Sequence, residues 1–452
     1  MKIEVIATPE LGDRSYLVHD GKVAIVVDPQ RDLDRVTDLA DREGVAIKWV
    51  LETHIHNDYV TGGFELARAT GARYAVNAAD PVEFGREAVA DGDELTTGSL
   101  TARVVATPGH TDTHLSYVVT DSAAPEEPPA VFTGGSLLYG SVGRTDLVDP
   151  KRTHELTHAQ FHSARRLAAE LPDEAPVFPT HGFGSFCSSG SAAGGEDSTI
   201  GIERGRNDAL VEEDEDAFVE RLVANLTAYP SYYAHMGPRN RQGPGPIDLS
   251  APEPVDSGEL AKRISSGEWV VDLRDRTVYA SDHLAGSISI ALGELFATYL
   301  GWLIPWESPL TLIGESAEQV ADAQRQLVRI GIDRPSGAAV GALDDVGADI
   351  ERRQYPRVTF NEVMRQATPV DVILDVRRDD ERANGYIVDS AHVPLNALLT
   401  RLGDVPDGRL WVHCASGFRA SIASSLLDRA GRDVVFIDDD YDNAASAGLL
   451  TT

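Results

Sequence analysis

The chain has little lysine, little cysteine and no long apolar run. Only five of its 452 residues are lysine (Lys2, Lys22, Lys48, Lys151 and Lys262), so its positive charge is almost all arginine. Seventy-two acidic residues stand against 40 basic ones, a formal net charge of −32. The acids run along the whole chain rather than in one tail. A surface of that sign repels nucleic acid and anionic membrane, which excludes both as partners. It fits a protein that stays hydrated in a salt-rich cytoplasm. Two cysteines, Cys187 and Cys414, cannot build the framework of a disulfide-stapled domain. No apolar stretch approaches the ~20 residues of a membrane span. The residues after Met1 enter a strand pattern at once, with no leader signature. A cytoplasmic location with reduced thiols is expected. A chain of this length exceeds one core and predicts about three domains.

What is present begins with strands. Ile3–Ile6, Ser15–Val18, Val23–Val27 and Trp49–Leu51 are strand-like, with a helix pattern from Asp32 to Glu43. Tyr74–Val76, Leu100–Ala106 and Leu115–Val119 add further short strands. This strand-rich opening predicts an αββα sandwich rather than a doubly wound parallel sheet. The run Ile47 to Leu51 leads into Thr53-His54-Ile55-His56-Asn57-Asp58-Tyr59. Two imidazoles and a carboxylate packed into five residues at a strand end are ligands for zinc or iron. A second strand ends in Thr107-Pro108-Gly109-His110-Thr111-Asp112-Thr113-His114, where the Pro-Gly turn argues against a helical histidine pair. His110 reads as a ligand and His114 as a packing histidine. Phe132-Thr133-Gly134-Gly135 and Gly143-Arg144-Thr145-Asp146 follow, then Pro179-Thr180-His181-Gly182 with Cys187 in a glycine-rich loop beside it. The stretch from Gly237-Pro238 to Gly245-Pro246 is breaker-rich and reads as a linker.

The remainder repeats itself. Val270-Val271-Asp272-Leu273-Arg274 pairs with Leu374-Asp375-Val376-Arg377, and Leu310–Gly314 pairs with Leu410–Cys414. Each copy predicts a small α/β domain with a parallel sheet. The second copy ends its strand in Cys414-Ala415-Ser416-Gly417-Phe418-Arg419, running into a helix from Ser421. A cysteine in a short loop at a helix N-terminus faces inward-pointing N–H groups that favour an anionic sulfur. Cys414 is therefore the expected nucleophile. Ala415, Ser416, Gly417 and Phe418 are expected to cradle a persulfide, and Arg419 to add positive charge. The first copy has Gly314 where the cysteine should be and cannot carry sulfur.

The first half resembles the metallo-β-lactamase fold, whose metal signature is H-x-H-x-D-H, with Tyr59 at the last histidine. Both later copies resemble the rhodanese fold. In this order the chain resembles the persulfide dioxygenase–rhodanese fusions of sulfide detoxification. The resemblance implies an α/β protein, an αββα sandwich over residues 1–243, an inactive rhodanese-like domain over 244–350 and an active rhodanese over 351–452. It implies one Fe(II), or zinc, per chain, oxidation of a low-molecular-weight persulfide to sulfite, and sulfur transfer through Cys414 to give thiosulfate. It also implies a homo-oligomer. The family's F-T-G-D aspartate is a ligand, and Gly135 stands at that position. The expected metal residues are thus His54, His56 and His110, weakly holding the ion, and restoring the carboxylate with Gly135→Asp is expected to tighten it. Asp58, His181 and Cys187 are expected beside the substrate. Two alternatives remain: a sulfurtransferase on a catalytically impaired scaffold, and a glyoxalase II-like thioester hydrolase.

If the acidic surface is an adaptation to salt, the melting temperature should rise steeply from dilute to molar KCl, because salt screens the self-repulsion. A flat melting temperature across that range would contradict it.

Overall fold

A computed structural model describes residues 1–190, 197–368 and 370–450. The chain divides into two compact units, Met1–Ile247 with Val328–Gly331, and Asp248–Leu327 with Ile332–Thr452. Among the described residues no helix is long and apolar enough to cross a membrane.

The first unit is an α/β sandwich of two sheets. Strands β1 (Lys2–Thr8), β2 (Asp13–His19), β3 (Val23–Val27), β4 (Ala46–Leu51), β5 (Arg73–Asn77) and β6 (Glu87–Val89) form the first sheet in chain order. Strands β7 (Glu94–Thr97), β8 (Leu100–Ala106), β9 (Leu115–Asp121), β10 (Ala130–Gly134) and β11 (Val177–Pro179) form the second, in the order β11-β10-β9-β8-β7. Strand periodicity sorts their side chains into three cores. Ile25 and Val27 meet Val104, Tyr117 and Phe132 between the sheets. Their neighbours Ala24 and Val26 face outward onto Val36 and Leu39 of the helix Asp34–Glu43. On the other side Val105, Val118 and Val131 receive Phe161, Ala164 and Leu167 of the helix Thr153–Glu170. Strands covered on both faces read as near-continuous apolar runs, as β3 does.

Each of the four motifs, three of them histidine-bearing, follows the end of a strand, β4, β8, β10 or β11. The strands β8 and β9, and β9 and β10, are antiparallel, while β10 and β11 are parallel, so β8, β10 and β11 point the same way. Three of the motifs therefore leave the second sheet at one edge.

The expected linker is in part a helix, which corrects the sequence reading. Tyr233–Gln242 is helical with Pro238 inside it, and the breakers take effect only at Gly243 (φ 81°). The reason is tertiary. Asn240 is buried and its side chain ties this helix to the histidine loop: its Oδ1 accepts from the Thr61 N–H at 3.0 Å, and its Nδ2 donates to the carbonyls of His56 and Tyr59, both at 2.9 Å.

The second unit holds two sheets of related design. Strands β12 (Trp269–Asp272), β14 (Ile288–Ser289), β15 (Leu310–Gly314) and β16 (Gly337–Val340) form a parallel sheet in the order β14-β12-β15-β16, while β13 (His283–Leu284) pairs with β17 (Arg352–Arg353). Strands β18 (Arg357–Val358), β19 (Val372–Asp375), β20 (Ala391–His392), β21 (Leu410–His413) and β22 (Val434–Ile437) form the other, in the order β18-β22-β21-β19-β20. The duplication extends to single hydrogen bonds. Arg274 chelates Asp272 and donates to the Asp282 carbonyl; Arg377 chelates Asp375 and donates to the Gly385 carbonyl, eight residues on in each case.

Candidate functional site

Three buried imidazoles, His54, His110 and His181, bring one ligand nitrogen each within 4.8 Å of the others. The partners of their second ring nitrogens fix how they are presented. Thr53 donates its hydroxyl to Asp28 at 2.7 Å, so its oxygen accepts from the His54 Nδ1–H at 2.9 Å. The His110 Nδ1–H donates to the Arg144 carbonyl at 2.7 Å. The His181 Nδ1–H donates to Asp13 at 2.9 Å and reaches Asp58 at 3.1 Å. All three rings thus turn their Nε2 atoms inward. Those of His54 and His181 are 3.3 Å apart, and that of His110 is buried without a partner. Two lone pairs cannot face each other at that distance, so a proton or a cation must lie between them. Burial works against a charge on His181, but Asp58 and Asp13 outweigh it and hold its pKa well above the usual value. These residues fit a metal ion: neutral imidazoles with their outer N–H groups anchored on carboxylate or carbonyl are the usual donors to zinc and iron.

His181 shares a group of ligand atoms with His54 and His110, while the ring of His56, expected among the ligands, lies 4.1 Å from that of His54. His56 instead groups with Asp58 and His181. Its Nε2 points into a cage of Asp28 (3.3 Å), Glu52 (3.2 Å) and the Tyr59 hydroxyl (3.0 Å). Burial opposes its charge, yet Asp28 and then Glu52 outweigh this and raise its pKa to about 9. Tyr59 fills the last position of the motif as a wall of this cage, fully buried and stacked on His56. Asp58 Oδ2 lies 3.1 Å from His181 Nδ1. Cys187 is fully buried, and burial together with Asp58 pushes its thiol well above the usual range.

Gly135 is tightly enclosed. A Cβ there would stand 2.3 Å from His110 Cδ2 and 2.6 Å from its Cγ. The Gly135 N–H donates to His114 Nε2 at 3.0 Å, and His114 stacks on His54 with centroids 5.0 Å apart. The expectation that Gly135→Asp would simply restore a ligand is corrected: the ring of His110 occupies the space that side chain would need. Asp146 is structural, holding the Arg144 guanidinium through both oxygens at 2.7 and 2.8 Å. A cavity of about 250 Å³ adjoins these loops, lined by Ile55, Asn57, Thr111, Thr113, Tyr233 and Arg241 among others.

The second site is in the other unit. Cys414 follows β21, is 1% exposed, and precedes the helix Phe418–Arg429. The first N–H groups of that helix have no intrahelical acceptor. Gly417 takes φ 90°, and a Cβ on it would meet Asp438 Oδ1 at 2.2 Å, so the loop needs glycine here. Asp438 is clamped by Arg276 of the first copy at 2.9 Å and by Arg357 at 3.1 Å. Arg419 does not offer a free charge: its guanidinium is paired through two nitrogens with Glu381, which the sequence did not suggest. Tyr299 of the first copy packs 5.6 Å from the Phe418 ring, within electrostatic reach of Cys414 and Arg419. In the first copy the corresponding loop is plugged. A Cβ on Gly314 would meet Val320 at 2.8 Å and Gln319 Oε1 at 3.3 Å, and that amide oxygen accepts from the Glu315 N–H. The Gln319 side chain thus occupies this loop.

A sandwich of this order with strand-end imidazoles fits a metallo-β-lactamase fold, and the parallel sheet that carries the cysteine loop fits a rhodanese-like domain. The metallo-beta-lactamase superfamily profile matches residues 10–181, and the rhodanese-like domain profile matches residues 359–447. The hydroxyacylglutathione hydrolase of Acidiphilium cryptum (strain JF-5) is 33% identical over 180 residues, 39% of this chain and 68% of its own. The chain belongs to the metallo-beta-lactamase superfamily and carries a rhodanese-like domain. The Homo sapiens hydroxyacylglutathione hydrolase-like protein is 33% identical over 187 residues, 40% of this chain and 59% of its own. Among solved structures, a metallo-beta-lactamase from Staphylococcus aureus subsp. aureus COL matches with a TM-score of 0.68 at 27% identity, covering 75% of this chain and 99% of that one.

Two outcomes follow. Asn240→Ala removes three buried hydrogen bonds and should cost about 3 kcal/mol, near 1 kcal/mol each; chemical denaturation checks this, and a loss under 0.5 kcal/mol would show the latch to be idle. Burial works to raise the Glu381 pKa, but Arg419 outweighs it and lowers it. The pair's contribution is then complete above the ordinary glutamate pKa of about 4.3 and is lost as pH falls through the lower folded value. The stability difference between wild type and Glu381→Gln should be constant from pH 7 to pH 5 and shrink on further acidification.

Proposed function

We propose that the chain is a sulfur-metabolism enzyme that carries sulfane sulfur on Cys414 and oxidises a low-molecular-weight persulfide in its metallo-β-lactamase unit. The observation that carries this reading is the contrast between the two rhodanese-like loops: one holds a cysteine at a helix start over an obligate glycine, the other is plugged by Gln319.

In sulfur transfer the Cys414 thiolate attacks the outer sulfur of thiosulfate. A Cys414 S–S bond forms, the S–S bond to sulfite breaks, and sulfite leaves with the electron pair. Attack by cyanide or another thiophile on the outer sulfur returns the thiolate. Run in the other direction, sulfite accepts the sulfur and thiosulfate is formed. The helix N-terminus holds the terminal anionic sulfur. The Glu381–Arg419 pair positions the first turn, and Gly417 keeps the loop narrow.

In the first unit His54, His110 and His181 would hold the metal, which when bound supplies the site where O₂ and the persulfide sulfur meet. Overall, persulfide, O₂ and water give thiol, sulfite and two protons. His181 is kept in orientation by Asp13 and Asp58, and the adjoining cavity has room for a small thiol conjugate. The names of the curated relatives favour thioester hydrolysis as a second reading. Against it, the Tyr59 hydroxyl is spent on His56 and the Asp28 carbonyl, so the histidine signature is not completed for a second metal.

Cys414→Ser should abolish thiosulfate:cyanide transfer, by at least about 1,000-fold on the scale of a lost covalent nucleophile, while Cys187→Ser keeps most of it. Equal losses, or an inactive wild type, would overturn the sulfurtransferase reading. Oxygen-electrode traces with glutathione persulfide test the oxidation: uptake is expected, and thioester cleavage without uptake would favour the hydrolase.

A further inference from the structure

The metal-facing nitrogens carry one inference that deepens the reading of the first unit and rests on its being a metal site. We propose that His181 takes the ligand position left open by Gly135, so that His54, His110 and His181 form a neutral three-imidazole centre, and that Gly135 is required by this arrangement. Four observations converge on it. One ring nitrogen of each of the three histidines lies within 4.8 Å of the others, and the Nε2 atoms of His54 and His181 are 3.3 Å apart. Each ring's Nδ1–H is spent on an acceptor, the Thr53 oxygen, the Arg144 carbonyl, or Asp13 with Asp58. The His110 Nε2 is buried with no partner at all. The His110 ring also lies against Gly135 so closely that no side chain fits between them.

The exchange has a chemical consequence. Two histidines and a carboxylate would leave a divalent ion with one net positive charge, whereas three neutral imidazoles leave it with two. Such a centre favours an anionic further ligand, which suits a persulfide or thiolate sulfur more than a neutral thioester carbonyl.

The test is metal binding by the full-length apoprotein, prepared without air, with Co(II) as the probe. Wild type should bind one Co(II) per chain, with visible bands of a nitrogen-rich site and no thiolate-to-metal charge transfer. Losing an outer partner of a ligand histidine costs 10–100-fold in affinity, so losing the ligand itself in His181→Ala should cost at least about 100-fold. His181→Asn keeps a donor for Asp13 and Asp58 and removes the ligand nitrogen, and it should lose affinity equally while melting near wild type. Gly135→Ala and Gly135→Asp should both weaken binding, because both displace His110. Undiminished Co(II) affinity in His181→Asn, tighter binding in Gly135→Asp, or no Co(II) bound by wild type would each overturn the proposal. Tight three-histidine binding in a protein that consumes no O₂ with persulfide would leave this inference standing and defeat the oxidation reading.

Discussion

Two imidazole nitrogens held 3.3 Å apart inside a closed core set the terms for the first unit. Each ring is pinned from behind, His54 through Thr53 to Asp28, and His181 by Asp13 and Asp58, so neither can turn away. Only a positive particle between them relieves the repulsion. Much of the surrounding polar structure serves that geometry. Asp28 accepts from the Thr53 N–H, the Thr53 hydroxyl and Thr180, and so ties the loop after β4 to the loop after β11. Asn240 braces the same loop from a helix nearly two hundred residues away in sequence. Leaving one such buried group unpaired costs about 1–3 kcal/mol, which explains why the partners come from so many separate segments.

The second unit shows the same backbone put to two uses. Both copies hang their first parallel strand on an Asp-x-Arg chelate with matching outward hydrogen bonds. They part at the loop after the next strand. In one copy Gly417 and the Asp438 clamp leave a narrow turn for Cys414; in the other, Val320 and Gln319 close over Gly314. Replacing Gly314 by cysteine would thus not recreate a working loop, since the space is already filled. The first copy contributes Arg276 and Tyr299 around the Cys414 loop, which gives it a structural role there.

Much of this was legible in the sequence. The strands around the histidine motifs, the strand-end position of each motif and the internal repeat all follow from short-range patterns: apolar alternation, Pro-Gly and Gly-Gly turns, and recurring Asp-x-Arg. What was not legible depends on residues distant in the chain. His56 and His181 carry the same donor atoms, and only the folded structure sets His56 against Asp28, Glu52 and Tyr59. Gly135 reads as a missing ligand until the His110 ring is found against it. Gly237, Pro238 and Gly243 read as a linker because local propensity cannot anticipate the bonds made by Asn240. Arg419 reads as a free cation because Glu381 lies 38 residues upstream.

The central claim is that three imidazoles, and no carboxylate, hold the metal. X-ray absorption at the metal edge of zinc- or cobalt-loaded wild type counts imidazole ligands directly through their multiple-scattering pattern. The account predicts three, at metal–nitrogen distances of about 2.0–2.1 Å for zinc, falling to two in His181→Asn. A best fit with two imidazoles and carboxylate oxygen in the wild type, or an unchanged count in that variant, would contradict it.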